Sequence, residues 1–286
     1  LYPTAITLRS EHMTYFSGKR AVVTGAGSGI GRALALHLNN EGCELWLSDV
    51  NEEALAETRA LLQRPDMACH TERLDVADRS AMHAYADRIG QQAGHIDLLV
   101  NNAGVALSGR VDEQGYDDFE WLMNINFWGV VHGTTAFLPL LKRSQRGHLV
   151  NISSVFGIVG IPTQSAYNAA KFAVRGFTEA LRQETADSNL SICCVHPGGI
   201  KTNIARNSRG GDEGQTADER DAIFHQFART TAESAAAQIV KAAAKGKKRL
   251  LIGADAHYIS IISRLLPVNY TRLLPGIGRL GKSADQ

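Results

Sequence analysis

The chain carries few of the marks of a secreted, membrane-spanning or metal-binding protein. Its four cysteines, Cys43, Cys69, Cys193 and Cys194, form no Cys-x-x-Cys pair. Cys193 and Cys194 lie in an apolar run whose side chains alternate between faces, so reduced core thiols are expected rather than a disulfide framework. The ten histidines show no metal-ligand spacing, and no metal is expected. No apolar run approaches the ~18 residues that a membrane-spanning helix needs. No signal-peptide pattern opens the chain, which makes a cytoplasmic location the expectation. Neither sign of charge dominates: a formal net charge of +1 offers little to a nucleic acid, and none is expected as a partner. What remains is a chain of 286 residues with a 44% hydrophobic share, enough for one substantial core in a single large α/β domain.

Short apolar runs alternate with helical patterns along most of that length. Strands are expected at 20–24, 44–49, 68–74, 96–100, 148–154, 190–195 and 249–252, and helices over 32–40, 52–63, 78–92, 116–143 and 164–187. Such alternation builds a doubly wound, Rossmann-like parallel sheet of about seven strands with helices on both faces. Ligands in such sheets sit beyond the carboxyl ends of the strands.

Two constellations fall at those ends. The first strand leads into Gly25-Ala26-Gly27-Ser28-Gly29-Ile30-Gly31 and then into a helix. Glycines admit close approach of the backbone, and a helix start offers unpaired N–H groups and a positive dipole end, which together cradle a pyrophosphate. The spacing is Thr-Gly-x-x-x-Gly-x-Gly on Gly25, Gly29 and Gly31, not Gly-x-Gly-x-x-Gly. Asp49 ends the second strand, where a carboxylate accepts from ribose hydroxyls and repels a 2′-phosphate; it equally suits capping of the next helix. The second constellation pairs Tyr167 with Lys171, four apart on one helix face. A phenol titrates near ~10, too high for a base at neutral pH, and a neighbouring ammonium favours its ionised form. Ser154, at a strand end thirteen positions before Tyr167, supplies a hydroxyl donor.

Thr24 to Gly31, Asn101-Asn102-Ala103-Gly104, Ser154, Tyr167-x-x-x-Lys171 and Pro197-Gly198, in that order between about residue 18 and 253, resemble the short-chain dehydrogenase/reductase family in its compact single-domain branch. The resemblance implies a nicotinamide-dependent oxidoreductase acting on CH–OH groups. It implies Tyr167 as acid/base, with Lys171 lowering the phenol pKa and holding the nicotinamide ribose. Ser154 would orient the substrate oxygen, and Asn126 would carry a proton-relay water. Asn126 is preferred to Asn124 because Asn-x-x-Gly, ending at Gly129, matches the family's pattern. Cofactor contacts are implied at Gly25, Ser28, Gly29, Ile30, Gly31 and Asp49, and at Asp75 and Val76 for the adenine. Others are implied at Asn102, Ala103 and Gly104 beside Asn101, at Tyr167 and Lys171, and at Pro197, Gly198, Ile200 and Thr202. Asp49, and Ser28 where phosphate-preferring members carry a basic residue, favour NAD over NADP. A homodimer or homotetramer through the two long helices is implied as well.

The substrate is less sharply drawn. Val105, Ala106, Leu107, Val155, Phe156, Ile158 and Ile161 surround the expected centre and point to a lipophilic alcohol or ketone, steroid-, retinoid- or fatty-chain-like. Residues 203–231 are polar and include Gly210, Gly211 and Gly214, a composition suited to a mobile lid. The expected catalytic domain, 18–253, follows an N-terminal extension, 1–17, in which Met13 is a candidate natural start. From residue 241 onward nine Lys and Arg stand against Asp255 and Asp285. Within that stretch Tyr258 to Leu266 forms an apolar-basic helical pattern broken by Pro267. The segment 254–286 suits a helix closing the substrate pocket, a subunit contact, or peripheral contact with an anionic membrane. His196 is expected to pack at a strand end. Two other activities stay open: an NADPH-dependent 3-oxoacyl or keto reductase, and a non-catalytic dinucleotide-sensing protein that kept the fold. The intact set Asn126, Ser154, Tyr167 and Lys171 speaks against the second.

Overall fold

A computed structural model describes residues 14–211 and 216–273. Seven runs of apolar residues become strands of one sheet: β1 (Arg20–Thr24), β2 (Glu44–Asp49), β3 (Cys69–Arg73), β4 (Leu98–Asn101), β5 (Gly147–Ile152), β6 (Leu190–Pro197) and β7 (Arg249–Ile252). Their order is β7-β6-β5-β4-β1-β2-β3, and each pairing is parallel. The chain therefore winds outward from β1 in one direction and from β4 in the other. Their carboxyl ends meet at the reversal of strand order, where such sheets bind ligands.

Helices cover both faces. Among them α1 (Gly29–Asn40), α2 (Glu52–Ala60), α3 (Arg79–Ala93) and α4 (Tyr116–Met123) lie in the first half of the chain. They are followed by α5 (Gly129–Arg143), α6 (Ser165–Glu184), α7 (Ala217–Phe227), α8 (Ala232–Ala244) and α9 (Ala254–Leu265). The core has two main bodies. One holds Val23, Leu34, Leu38, Val195 and Ile239; the other holds Val22, Trp46, Met82, Phe137 and Leu140. Alternate residues of one strand, Val22 and Val23, thus serve opposite faces, as the pleat requires. Among the described residues no helix is long and apolar enough to cross a membrane.

Several expectations are refined by the structure. The long helix expected over 116–143 is α4, a π-helical turn (Asn124–Trp128) and α5. Helix α8 was not expected from the sequence. Its inward residues are mostly alanine, Ala235, Ala236, Ala242 and Ala243, which let it lie close against α1 but give little apolar periodicity to read. Within the stretch read as a lid, the described residues are well built. Thr216 and Glu219 form a reciprocal capping box that starts α7. Arg209–Gly210 pairs with Leu107–Ser108, and Thr230–Thr231 pairs with Ile200–Lys201. At the amino end, Phe16 is fully buried, and Tyr15 Oη lies 2.8 Å from His148 Nε2, although 1–17 was expected to be an extension. Met13 and the basic residues Arg279 and Lys282 lie outside the described residues.

Candidate active site

The glycine turn after β1 has the shape a dinucleotide phosphate requires. Gly25 and Gly29 have φ of 65° and 52°, a region that side-chain-bearing residues seldom occupy. A Cβ on Gly31 would lie 1.9 Å from the Gly25 carbonyl oxygen, and one on Gly25 would lie 2.7 Å from Ala103 Cα. Helix α1 begins directly behind this turn, and its N-cap, Ser28, makes no side-chain capping bond. The first-turn N–H groups of α1 therefore lack a side-chain acceptor from their cap, the condition that favours an anion. Arg32 braces the turn from below, donating to the Gly27 carbonyl at 2.6 and 3.0 Å. Thr24 Oγ1 accepts from the N–H groups of Asn102 and Ala103 at 3.0 and 3.1 Å. The Asn102 amide donates back to the Thr24 and Gly25 carbonyls. The ends of β1 and β4 are thereby tied together.

Asp49 faces this turn. Its Oδ2 accepts from Gly27 N at 2.9 Å and its Oδ1 from Asn51 N at 3.0 Å. It is not the cap of α2; Asn51 takes that place, accepting from Ala54 N. Asp75 is exposed and accepts from Ala77 N at 2.9 Å. Val76 packs inward on Gly129, where a Cβ would come within 2.7 Å of its methyl group. On the far side, the loop after β6 is held down by Gly198 N donating to Ile252 O at 2.8 Å. Gly199 N donates to Asp255 Oδ2 at 2.7 Å. Ile200 is buried, and the Thr202 methyl would sit 3.1 Å from a Cβ on Gly29. That loop and the glycine turn therefore face each other.

The second constellation assembles at the ends of β4 and β5. Lys171 is 4% exposed, and its Nζ donates to Ile152 O at 3.1 Å. Asn126 is fully buried in the π-helical turn. Its amide both accepts from Val105 N and donates to Val105 O at 2.8 Å. Both side chains converge on Gly104: a Cβ there would lie 3.1 Å from Asn126 Oδ1 and 3.5 Å from Lys171 Nζ. Asn124, the other candidate, is exposed. Lys171 Nζ lies 5.5 Å from the centre of the Tyr167 ring, and Phe156 meets that ring edge-on at 6.1 Å. Ser154 Oγ accepts from Phe156 N at 3.1 Å, and its carbonyl accepts from His196 Nδ1 at 3.0 Å.

The electrostatics of this pair differ in sign from the expectation. Burial pushes the Tyr167 phenol up to about 12, and the hydrogen bond from Ser154, not the lysine, pulls the other way. Burial also draws Lys171 down to about 8. Both shifts have one cause: each charged form is poorly solvated in the same apolar pocket, and the lysine's nearest acceptor is a backbone carbonyl.

Placed at the strand ends of a parallel sheet, this arrangement matches known proteins. A profile of the short chain dehydrogenase family matches residues 19–213. The chain belongs to that family. It is 47% identical over 264 residues to a Mycobacterium tuberculosis protein (strain ATCC 25618 / H37Rv) named "Putative oxidoreductase SadH", with 92% of this chain and 96% of that protein covered. Among solved structures it resembles a short chain dehydrogenase/reductase from Burkholderia phymatum in complex with NAD. There the TM-score is 0.80 and the identity 31%, with 88% of this chain and 95% of that one covered. Levodione reductase is similar at a TM-score of 0.76 and 29% identity, with coverage of 86% and 99%.

As a short chain dehydrogenase, the protein also positions its site with residues that the sequence did not single out. Asn168, next to Tyr167, donates to the carbonyls of Phe156 and Val159 at 2.7 and 2.8 Å and accepts from Ile161 N at 3.0 Å. One buried amide thereby fixes the loop that carries Phe156, Ile158 and Ile161. Its sequence signal was its place one turn-step from Tyr167, hidden because asparagine is common on solvated helices. From the far end of the chain, Tyr270 Oη accepts from Gly160 N at 2.9 Å and donates to Gly160 O at 3.2 Å. Nothing in the local sequence marks that long-range clasp. Tyr270 thus ties the described part of 254–286 to the loop that carries Phe156 and Ile158.

Proposed function

We propose that this short chain dehydrogenase is an NAD(H)-dependent oxidoreductase interconverting a secondary alcohol and a ketone, or a primary alcohol and an aldehyde, on a lipophilic substrate. The observation that carries the reading is the convergence of Lys171 Nζ and Asn126 Oδ1 on Gly104, beside Tyr167 and across from the glycine turn. Tyr167 Oη gives a proton to the carbonyl oxygen in reduction and takes one from the alcohol in oxidation. Ser154 Oγ donates to the same oxygen and stabilises charge that develops on it. Lys171 holds a positive charge near that proton transfer, and Asn126 keeps the Val105 backbone fixed beside it. A nicotinamide, when bound, supplies or accepts the hydride.

The glycine turn, the Thr202 loop and Asp49 fit NAD. A carboxylate already turned toward Gly27 disfavours a phosphate on the neighbouring ribose. The NAD-bound structural relative supports the same choice. Half-buried Phe156 and Ile158 beside the half-buried Tyr167 make the mouth apolar, which favours a steroid-, retinoid- or fatty-chain-like substrate. Exposed Trp128 and Phe172, at 47% and 41%, lie on the two long helical stretches through which a homodimer or homotetramer is proposed.

A turnover panel tests the reading: long-chain alcohols, steroids and sugar alcohols, each with NAD and NADP. Higher catalytic efficiency on the lipophilic compounds with NAD is expected, and Asp49→Ala should narrow the preference for NAD by about tenfold. Failure of both NAD and NADH to bind at millimolar concentration would sink the proposal.

A further inference from the structure

Helix α9 turns a small, buried face inward and a large apolar face outward. Ala256 and Ser260 are buried against the domain, while Tyr258, Ile261 and Leu265 follow at helical spacing on the other side with exposures of 46, 58 and 71%. The chain continues the patch with Leu266, Val268 and Leu273, 37, 82 and 47% exposed. An apolar surface of this density on a short stretch marks an interaction site rather than scattered surface residues.

Its rim is basic. Arg264 and Arg272 are exposed within the segment. Helix α9 packs alongside β7, whose Arg249 lies 3.4 Å from Ser260 Oγ. Arg182 donates to Lys248 O beside it. The only acid among described residues 254–273, Asp255, is spent inward on Gly199 N. Glu179 balances Arg175 on the neighbouring helix α6, but the Arg249 guanidinium still feels repulsion from Arg175 and Arg264.

We infer that the outer face of α9 and the turn after it, with its arginine and lysine rim, docks on an anionic lipid surface. Apolar side chains enter the headgroup boundary and the basic groups meet the lipid phosphates, the pattern of interfacial helices. A second copy of the chain fits less well, because a twofold interface built on this face would set the same basic rim against itself. The site's own geometry agrees with the orientation. Tyr270 and α9 both touch the 155–161 loop, so the docked face adjoins the mouth beside Tyr167.

Flotation of the full chain with vesicles of phosphatidylcholine alone, or mixed with phosphatidylglycerol, tests this without reference to turnover. The unmodified protein should float with the mixed vesicles and hardly at all with the neutral ones. The double variant Ile261→Asp/Leu265→Asp should lower partitioning by at least about tenfold, and Arg264→Gln and Arg272→Gln by about fivefold each. Leu61→Asp, on an exposed position after α2, should leave it unchanged. Two outcomes overturn the inference. One is no flotation of the unmodified protein with anionic vesicles. The other is a drop in solution mass for Ile261→Asp/Leu265→Asp with its melting profile kept, which would assign the face to a second copy.

Discussion

Buried charge decides what the central residues can do. With its phenol pushed up to about 12, Tyr167 holds its proton across the neutral range and is poised as a donor. Because kcat/KM reports the free enzyme, oxidation should accelerate as the phenol ionises, climbing by up to about tenfold per pH unit from neutrality upward. Reduction should show no such climb. A flat oxidation profile across that range would contradict the assignment of the phenol as base. Tyr167→Phe should lower turnover by at least about 10²-fold while NAD affinity changes less than about twofold; calorimetric titration beside steady-state rates checks both. The residue types at this centre were legible in the sequence because their spacing is local: Tyr167 and Lys171 share one helix face. Their pKa shifts were not legible, because burial arises from tertiary packing, such as that of Leu107, Leu122, Ala166 and Ala170 against Tyr167, which no spacing encodes.

The strands and most helices could be read in advance because each apolar run had one meaning. The π-helical turn could not, since Asn124 to Trp128 keep an ordinary helical composition. Yet that wide turn is where Asn126 enters the site, in keeping with the tendency of such turns to sit at functional positions. Long-range clasps were equally hidden. Tyr270 reaches Gly160 with both the donor and the acceptor capacity of one hydroxyl. Tyr270→Phe should therefore loosen the substrate loop and raise KM for bulky substrates by about fivefold, within the net worth of one or two hydrogen bonds. The kcat for a small alcohol and the affinity for NAD should stay within about twofold. Equal loss on all substrates, measured in parallel assays, would show that the clasp supports the fold and not the mouth.

At the scale of the molecule, two fully buried imidazoles link stability to pH. Desolvation draws His148 and His196 down to about 4. Between pH 4 and 6.5 the unfolded chain binds protons at these rings that the folded chain does not, so stability falls as pH falls through that window. Each ring contributes on the order of 3 kcal/mol when the window is fully crossed. Urea midpoints from pH 7 to pH 4 should decline accordingly, and His148→Asn should flatten the decline; an unchanged slope would count against buried neutral His148. The clasp at Tyr270 carries a consequence of another kind. It spans 110 positions of sequence, so every strand of the sheet can pair before the 155–161 loop is fastened from the C-terminal side. Fastening that loop is thus separable from pairing the sheet: the strands carry the fold, and a single hydroxyl beyond them sets how tightly the loop is held.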